Sequence, residues 1–486
     1  MTEADFLNDF YVDIHCHLTL RATNVVSHKK KANFWHELKN KPIKNKIARW
    51  AGIQTKGIAK VSQSNLYAAA DGKVRVLFDS LYPVEKNFMN FRKVPDFLMG
   101  KEGGRDILRT VTGAHKKNLK KYGPTKPYYQ HLEAQYKALL KAQGASPDNK
   151  HHYKVVNNYT ELKSCLHQNP NNIAIVLTIE GAHAFGSGTA ASEKMSDKQL
   201  KKVLSHNIGN TKEWAHVPFM VNLTHHFWNQ LCGHARSFKP TLYAAYNQKK
   251  GLNKGVTQLG WHVIEELLAT DNGKRILIDI KHMSAESRQA YYKFVKAHNR
   301  INTSSPIPIV CTHTGVSGYN TLYDAVKQSD RVRKMRRTRF HSWSINMCNE
   351  DIRAIHQSKG LMGIMMDKGL LGGVRTLKRI DAINDEIIQR NAYVALIWDN
   401  IFQAIKVVQQ KTAWDIISIG SDYDGIITHV DCYHNISQLH SLKEDLIDYL
   451  KKYQTNKYLW YGYSPEELVH KIMQGNAINF MKNNFK

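Results

Sequence analysis

Eight short apolar runs, each closing on a polar side chain able to do chemistry, constrain this chain more than any other feature. They occupy residues 10–13, 74–81, 173–178, 217–223, 275–280, 307–311, 360–366 and 416–420. Most are rich in Val, Ile or Leu, and all are too short for an ordinary helix. Near-continuous apolar runs suit parallel strands covered on both faces. Helical patterns lie between them. Residues 259–268 are amphipathic and precede the run at 275. Residues 284–298 have helical spacing with Ser284 as N-cap, residues 350–359 precede the run at 360, and residues 385–407 precede the run at 416. A last helix spans 465–480, with Ser464 as N-cap and Pro465 at its first position. Strand then helix, repeated about eight times, predicts an α/β fold of the (β/α)8 TIM-barrel type with an outer ring of helices. No internal repeat of fixed period occurs.

Two segments exceed a minimal barrel. Residues 85–158 are polar and rich in Lys and Tyr, and residues 318–344 are basic and weakly periodic. Both read as insertions over or beside the barrel mouth, within a single domain spanning 1–486. A chain of 486 residues that is 42% hydrophobic has ample material for one large core.

Composition narrows the setting. No run of about 18 apolar residues is present, so no membrane span is expected. The opening stretch carries Glu3, Asp5 and Asp9 rather than a basic-then-apolar signal, which points to a cytoplasmic protein. The six cysteines form no Cys-x-x-Cys pair and read as reduced, mostly buried thiols. The net charge of +28 favours solubility and attraction to anions. Its Lys and Arg are spread along the chain, denser at 29–60 and 331–339, with no nucleic-acid-binding motif beside them. A solvated basic surface is therefore preferred over a nucleic-acid partner.

The strand ends carry a coherent set. In a (β/α)8 barrel, functional groups gather where the strands end. The first run leads into Asp13-Ile14-His15-Cys16-His17, which places His15 and His17 on one side of an extended chain, able to grip one divalent ion. Alone, such a pair is more often structural. The run at 173 leads to Glu180, a carboxylate costly to bury unless it is paired or binds metal. The runs at 275 and 307 lead to His282 and His313. Taken together, these five residues suit zinc or a similar divalent ion. Asp422, in Gly420-Ser421-Asp422-Tyr423-Asp424-Gly425, is placed to act as general base. His225, in Leu223-Thr224-His225-His226, is a histidine outside the ligand set that can polarise a scissile carbonyl or stabilise an oxyanion.

In this order the motifs resemble the membrane dipeptidase (renal dipeptidase) family of the amidohydrolase superfamily along nearly the whole chain. Asp13 to His17 falls where that family has Asp-x-His-x-Asp. Glu180-Gly181-Ala182-His183 resembles its Glu-Gly-x-His, and Leu223-Thr224-His225 its Leu-Thr-His. Gly255-Val256-Thr257-Gln258-Leu259-Gly260 resembles its Gly-Leu-Thr-x-x-Gly turn, and Asp279 to Ser284 its Asp-Leu-Ser-His-x-Ser. Pro308 to His313 resembles its Pro-x-x-x-Ser-His, and Gly420 to Gly425 its Gly-Ser-Asp-Phe-Asp-Gly. The resemblance implies two zinc ions. One would be held by His15 and His17, the other by His282 and His313, with Glu180 bridging both. A hydroxide between them would attack the scissile bond of a small dipeptide-like substrate, helped by Asp422, while His225 supports the oxyanion. Family members often form dimers, which leaves a homodimer open here.

Two departures stand out. His17 replaces the family's usual Asp, removing one negative charge from the site. Ile345 stands where the family has an Arg thought to bind the substrate's carboxylate, with Arg337, Arg339 and Arg375 as candidate substitutes. An uncharged substrate end would not need that Arg, so hydrolysis of an ester, lactone or phosphoester by the same site is the second reading. A third is an inactive anion- or nucleic-acid-binding protein on a retired barrel, whose nucleic-acid affinity would fall steeply with salt.

Overall fold

The computed structural model describes residues 10–25, 32–39, 61–89, 127–238, 246–329 and 339–486. All eight apolar runs form strands: β1 (Tyr11–Cys16), β2 (Val74–Leu81), β5 (Asn172–Ile179), β6 (Met220–Asn222), β7 (Leu277–Asp279), β8 (Val310–Thr314), β9 (Leu361–Ile364) and β10 (Ile417–Ile419). They pair in parallel in that spatial order. Two further strands, β3 (Gly144–Ala145) and β4 (His152–Val156), stand off this path. The ring nearly closes where β10 returns to β1. Cys16 bridges Tyr423, the His17 N–H donates to the Tyr423 carbonyl at 2.9 Å, and the Asp422 N–H donates to the His15 carbonyl at 2.9 Å. The architecture is a (β/α)8 barrel.

Alternation along the strands divides the core in two. Val12, Ile14, Val76, Phe78, Ala174, Val176, Leu277 and Val310 form one buried cluster together with Phe480 and Met481 of the last helix. Leu77, Ile173, Ile175 and Leu177 belong to a larger cluster with Leu132, Leu139, Leu200 and Leu204 of the surrounding helices. The first fills the barrel; the second seals strands to helices. At Gly420 the backbones approach so closely that a Cβ would lie 1.8 Å from the Thr312 carbonyl oxygen.

The helices follow their local signals. Ser284 caps Ala285–Ile301 by accepting from the Ser287 N–H, and Asp385 caps Glu386–Val408 through the Ile388 N–H. The closing segment begins at Pro465 behind Ser464, passes through a π-turn at Lys471–Gly475, and continues as Asn476–Asn484. The 85–158 segment holds a helix, Tyr128–Ala142, and the β3–β4 hairpin. β4 pairs in parallel along the first half of β5, from His152 opposite Asn172 to Val156 opposite Val176. This hairpin therefore widens the sheet at the amino ends of the strands, away from the mouth. Residues 90–126 of this segment and 330–338 of the other lie outside the described residues. The basic stretches expected at 29–60 and 331–339 do so for the most part. Of the six cysteines, five are buried and Cys432 is half-buried, and all are free thiols. Among the described residues no helix is long and apolar enough to cross a membrane.

Candidate metal centre

At the carboxyl ends of the strands, five imidazoles converge on one buried carboxylate. Glu180 Oε1 lies 3.3 Å from His282 Nε2, 3.5 Å from His313 Nε2 and 3.6 Å from His15 Nε2. Its Oε2 lies 3.1 Å from His17 Nε2 and 3.3 Å from His225 Nε2. Asp422 Oδ1 stands 3.6 Å from His17 Nε2 and 3.9 Å from His15 Nε2. All seven residues predicted from sequence thus meet in one place. Three groups of ligand-capable atoms share this centre: His15, His17 and Asp422; Glu180, His282 and His313; and His15, Asp279 and His313. Asp422 therefore has ligand geometry as well as the reach of a base. The β1–β2 register slips between Asp13 and Cys16, at the residues that carry His15. His282 and Asp422 hold φ of 69° and 61°, a region non-glycine residues seldom adopt and one that recurs at functional sites.

The surroundings fix which ring nitrogen faces inward. His17 Nδ1 donates to the Ser80 carbonyl at 2.9 Å. A carbonyl only accepts, so Nε2 of the neutral ring carries a bare lone pair toward Glu180. Thr312 does the same for two rings. Its hydroxyl donates its one proton to Asp279 and accepts from His15 Nδ1 at 2.9 Å and His313 Nδ1 at 3.0 Å. Asp13 is held in turn by the Ser421 hydroxyl at 2.5 Å and the Ser421 N–H at 2.9 Å. Histidines backed by carbonyls, carboxylates or hydroxyls in this way are oriented as metal ligands. The Nε2 atoms of His15 and His17 are buried without a hydrogen-bond partner, as lone pairs kept for a cation would be.

Electrostatics agree. Burial, with the neighbouring imidazoles, pushes His313 well below its ordinary range. Burial also drives His15 well down, against the pull of Glu180, and pushes His282 down to about 3. These rings are neutral and ready to coordinate. Burial would also lower His17, but Glu180 and Asp422 outweigh it and raise it well above the usual value. A cation in this place would neutralise both carboxylates. Burial would raise Glu180, yet His225 and His17 outweigh it and keep the carboxylate ionised. Asp13 is pushed up to about 7, and Asp279 to about 6, by burial that their hydrogen bonds only partly offset.

One contributor has no counterpart in the sequence reading. Glu85, fully buried just after β2, accepts from His225 Nδ1 at 2.8 Å, from the Phe227 N–H at 3.0 Å and from the His226 N–H at 3.3 Å. It fixes the ring so that Nε2 faces Glu180, and with Glu180 it raises His225 against the lowering effect of burial. Its only sequence signal was a carboxylate a few residues past a buried strand. Of the candidate arginines, Arg339 pairs with Asp399, Arg375 is exposed on the helix Val374–Asp381, and Arg337 lies outside the described residues. Ile345 is buried in a small cluster with Ala235 and Trp343.

A barrel whose strand ends gather imidazoles around a single carboxylate falls in the class of metal-dependent hydrolases. The family model for membrane dipeptidases (peptidase family M19) matches residues 38–483, and the chain belongs to that family. It is a metal-dependent peptide hydrolase. The matched stretch starts after β1, so His15 and His17 join the site through the fold. No curated protein matches the chain. Among solved structures, the M19 metallopeptidase dipeptidase AC aligns at 14% identity over 98% of each chain, with a TM-score of 0.50. A metallopeptidase from Rhodobacter sphaeroides, liganded with a phosphinate mimic of the dipeptide L-Ala-D-Ala, aligns at 14% identity over 98% of this chain and 99% of its own, with a TM-score of 0.50. The probable dipeptidase PvdM from Pseudomonas aeruginosa aligns at 14% identity over 99% of this chain and 97% of its own, with a TM-score of 0.51. These likenesses support the barrel fold.

Proposed function

We propose that the chain hydrolyses the peptide bond of a dipeptide-like substrate with two divalent ions, zinc by ligand type, seated around Glu180. The observation that carries this reading is the convergence of five imidazoles on Glu180, four of them oriented through Nδ1 and one of these four, His225, fixed there by Glu85. His15 and His17 would hold one ion, His282 and His313 the other, and Glu180 would lie between them. When bound, the ions supply Lewis acidity and a water acidic enough to attack at neutral pH.

The chain's own residues supply the rest. Asp422 is within reach of the same centre and accepts the proton of the attacking water, later returning it to the leaving amine. His225, fixed at Nδ1, presents Nε2–H to the oxyanion that develops on the carbonyl. The depth of the site keeps its dielectric low, which strengthens both effects.

The substrate's carboxylate needs a cation, and Ile345 cannot provide it. Arg236 lies next to the Ile345 cluster, half-buried, with its guanidinium 4.9 Å above the Trp343 ring. Its neighbour Ala235 donates its N–H to the His282 carbonyl at 2.8 Å, and its neighbour Ser237 meets His226 Nδ1 at 2.8 Å. A guanidinium braced on an aromatic face is pre-organised for a carboxylate. Arg236 thus takes the role that the missing Arg leaves open, and this favours dipeptides over esters or lactones. The test is hydrolysis of L-Ala-D-Ala and its C-terminal amide. The wild type should prefer the free acid, and Arg236→Met should raise KM for it by about ten- to a hundredfold while leaving the amide unchanged. Equal rates on both substrates in the wild type would sink the assignment.

A further inference from the structure

Four of the five site histidines have a partner at the ring nitrogen that points away from Glu180. His15 and His313 have Thr312, His17 has the Ser80 carbonyl, and His225 has Glu85. His282 does not: its Nε2 faces Glu180 and His313, while its Nδ1 is buried with no hydrogen-bond partner. A metal-ligating histidine ordinarily hands this second N–H to an acceptor, and an orphaned buried nitrogen calls for an explanation. His226, which the hydrolytic reading does not use, stands close by. Its ring centroid is 3.7 Å from that of His225 and 5.2 Å from that of His282, and His225 and His282 are 4.4 Å apart. Ligand-capable nitrogens of all three lie within 4.8 Å of one another. His226 is half-buried, which leaves an approach from outside, and its Nδ1 sits 2.8 Å from the Ser237 hydroxyl, leaving Nε2 for another partner.

We propose that His225, His226 and His282 form a further divalent-cation site, adjoining the pair of ions around Glu180 and sharing His282 with it, whose occupation switches hydrolysis off. A ligand set dominated by three imidazoles selects a zinc-like ion over magnesium or calcium, which demand oxygen ligands. The ion displaces the Nε2 proton of His225 and the Nδ1 proton of His282, both released to solvent; His225 then has no N–H for the oxyanion, so excess zinc inhibits. The inhibition rests on the hydrolytic reading above; the binding site itself does not.

The test starts from protein carrying two equivalents of zinc and adds ZnCl2 in equilibrium dialysis, with elemental analysis and hydrolysis of L-Ala-D-Ala followed on the same samples. The wild type should take up a further equivalent, with turnover falling in step, while MgCl2 at the same concentrations does neither. His226→Ala should keep the first two equivalents and bind the further one at least about tenfold more weakly. His226→Gln, which preserves polarity at the half-buried position, should behave alike and serves where the alanine variant fails to fold. A further equivalent bound with unchanged affinity in a folded His226 variant, or none in the wild type, overturns the proposal. If the two-equivalent protein does not hydrolyse the dipeptide, the hydrolytic reading fails while the dialysis still decides this site.

Discussion

Glu85 carries the sharpest consequence at the scale of single residues. Because it holds Nδ1 of His225, a ring outside the proposed ligands of the two ions, its removal separates orientation from metal binding. Glu85→Gln should lower kcat about ten- to a hundredfold with metal content unchanged, read by steady-state kinetics beside elemental analysis. Loss of metal in this variant would move Glu85 into the ion-binding set. Asp422→Asn should keep both ions and lower kcat by roughly two to four orders of magnitude. A near-normal rate would remove Asp422 as the base. The ligands were legible because each stands at the end of an apolar run, where an imidazole or carboxylate has no packing reason to be. Glu85 was not, because it opens a long polar segment and its partner lies 140 positions away. His226 was hidden beside His225, and Arg236 because nothing in a linear pattern places it against Trp343.

Between elements, a buried ion pair ties two helices together. Arg288, on the helix after β7, meets Asp351, on the helix Asn349–Gln357, with Nε 3.0 Å from Oδ1 and Nη2 3.2 Å from Oδ2. The Tyr292 hydroxyl donates to Oδ1 at 2.6 Å, and the Cys348 N–H donates to Oδ2 at 2.8 Å. Removing one partner leaves an uncompensated buried charge, so Asp351→Ala should cost about 3–5 kcal/mol in denaturant unfolding. A loss within measurement error would show that the pair is not what joins these helices. The barrel strands were readable because parallel strands covered on both faces are apolar throughout. β4 escaped notice because His152–Val156 is short and half polar, and β3 has only two residues. The Tyr128–Ala142 helix buries Tyr128, Tyr129, Leu132, Gln135, Tyr136 and Leu139. That stripe has helical spacing, but its tyrosines and glutamine made it read as a polar insertion.

Over the whole molecule, the fold matters to the chemistry as a frame that brings residues from β1, β6, β7, β8 and β10 to one carboxylate at the end of β5. Contacts between segments as distant as Asp13 and Ser421 close that frame. The net charge of +28 acts on solubility and on the approach of anionic molecules. Ion binding should also tie the frame together, since bound ions favour the folded chain. Elemental analysis of the purified chain, before and after chelation, decides whether the Glu180 cage is a two-ion hydrolytic centre. About two divalent ions per chain, lost together with dipeptide hydrolysis and regained together on adding zinc, is the result expected. No bound ion at neutral pH, even after zinc is restored, would contradict it.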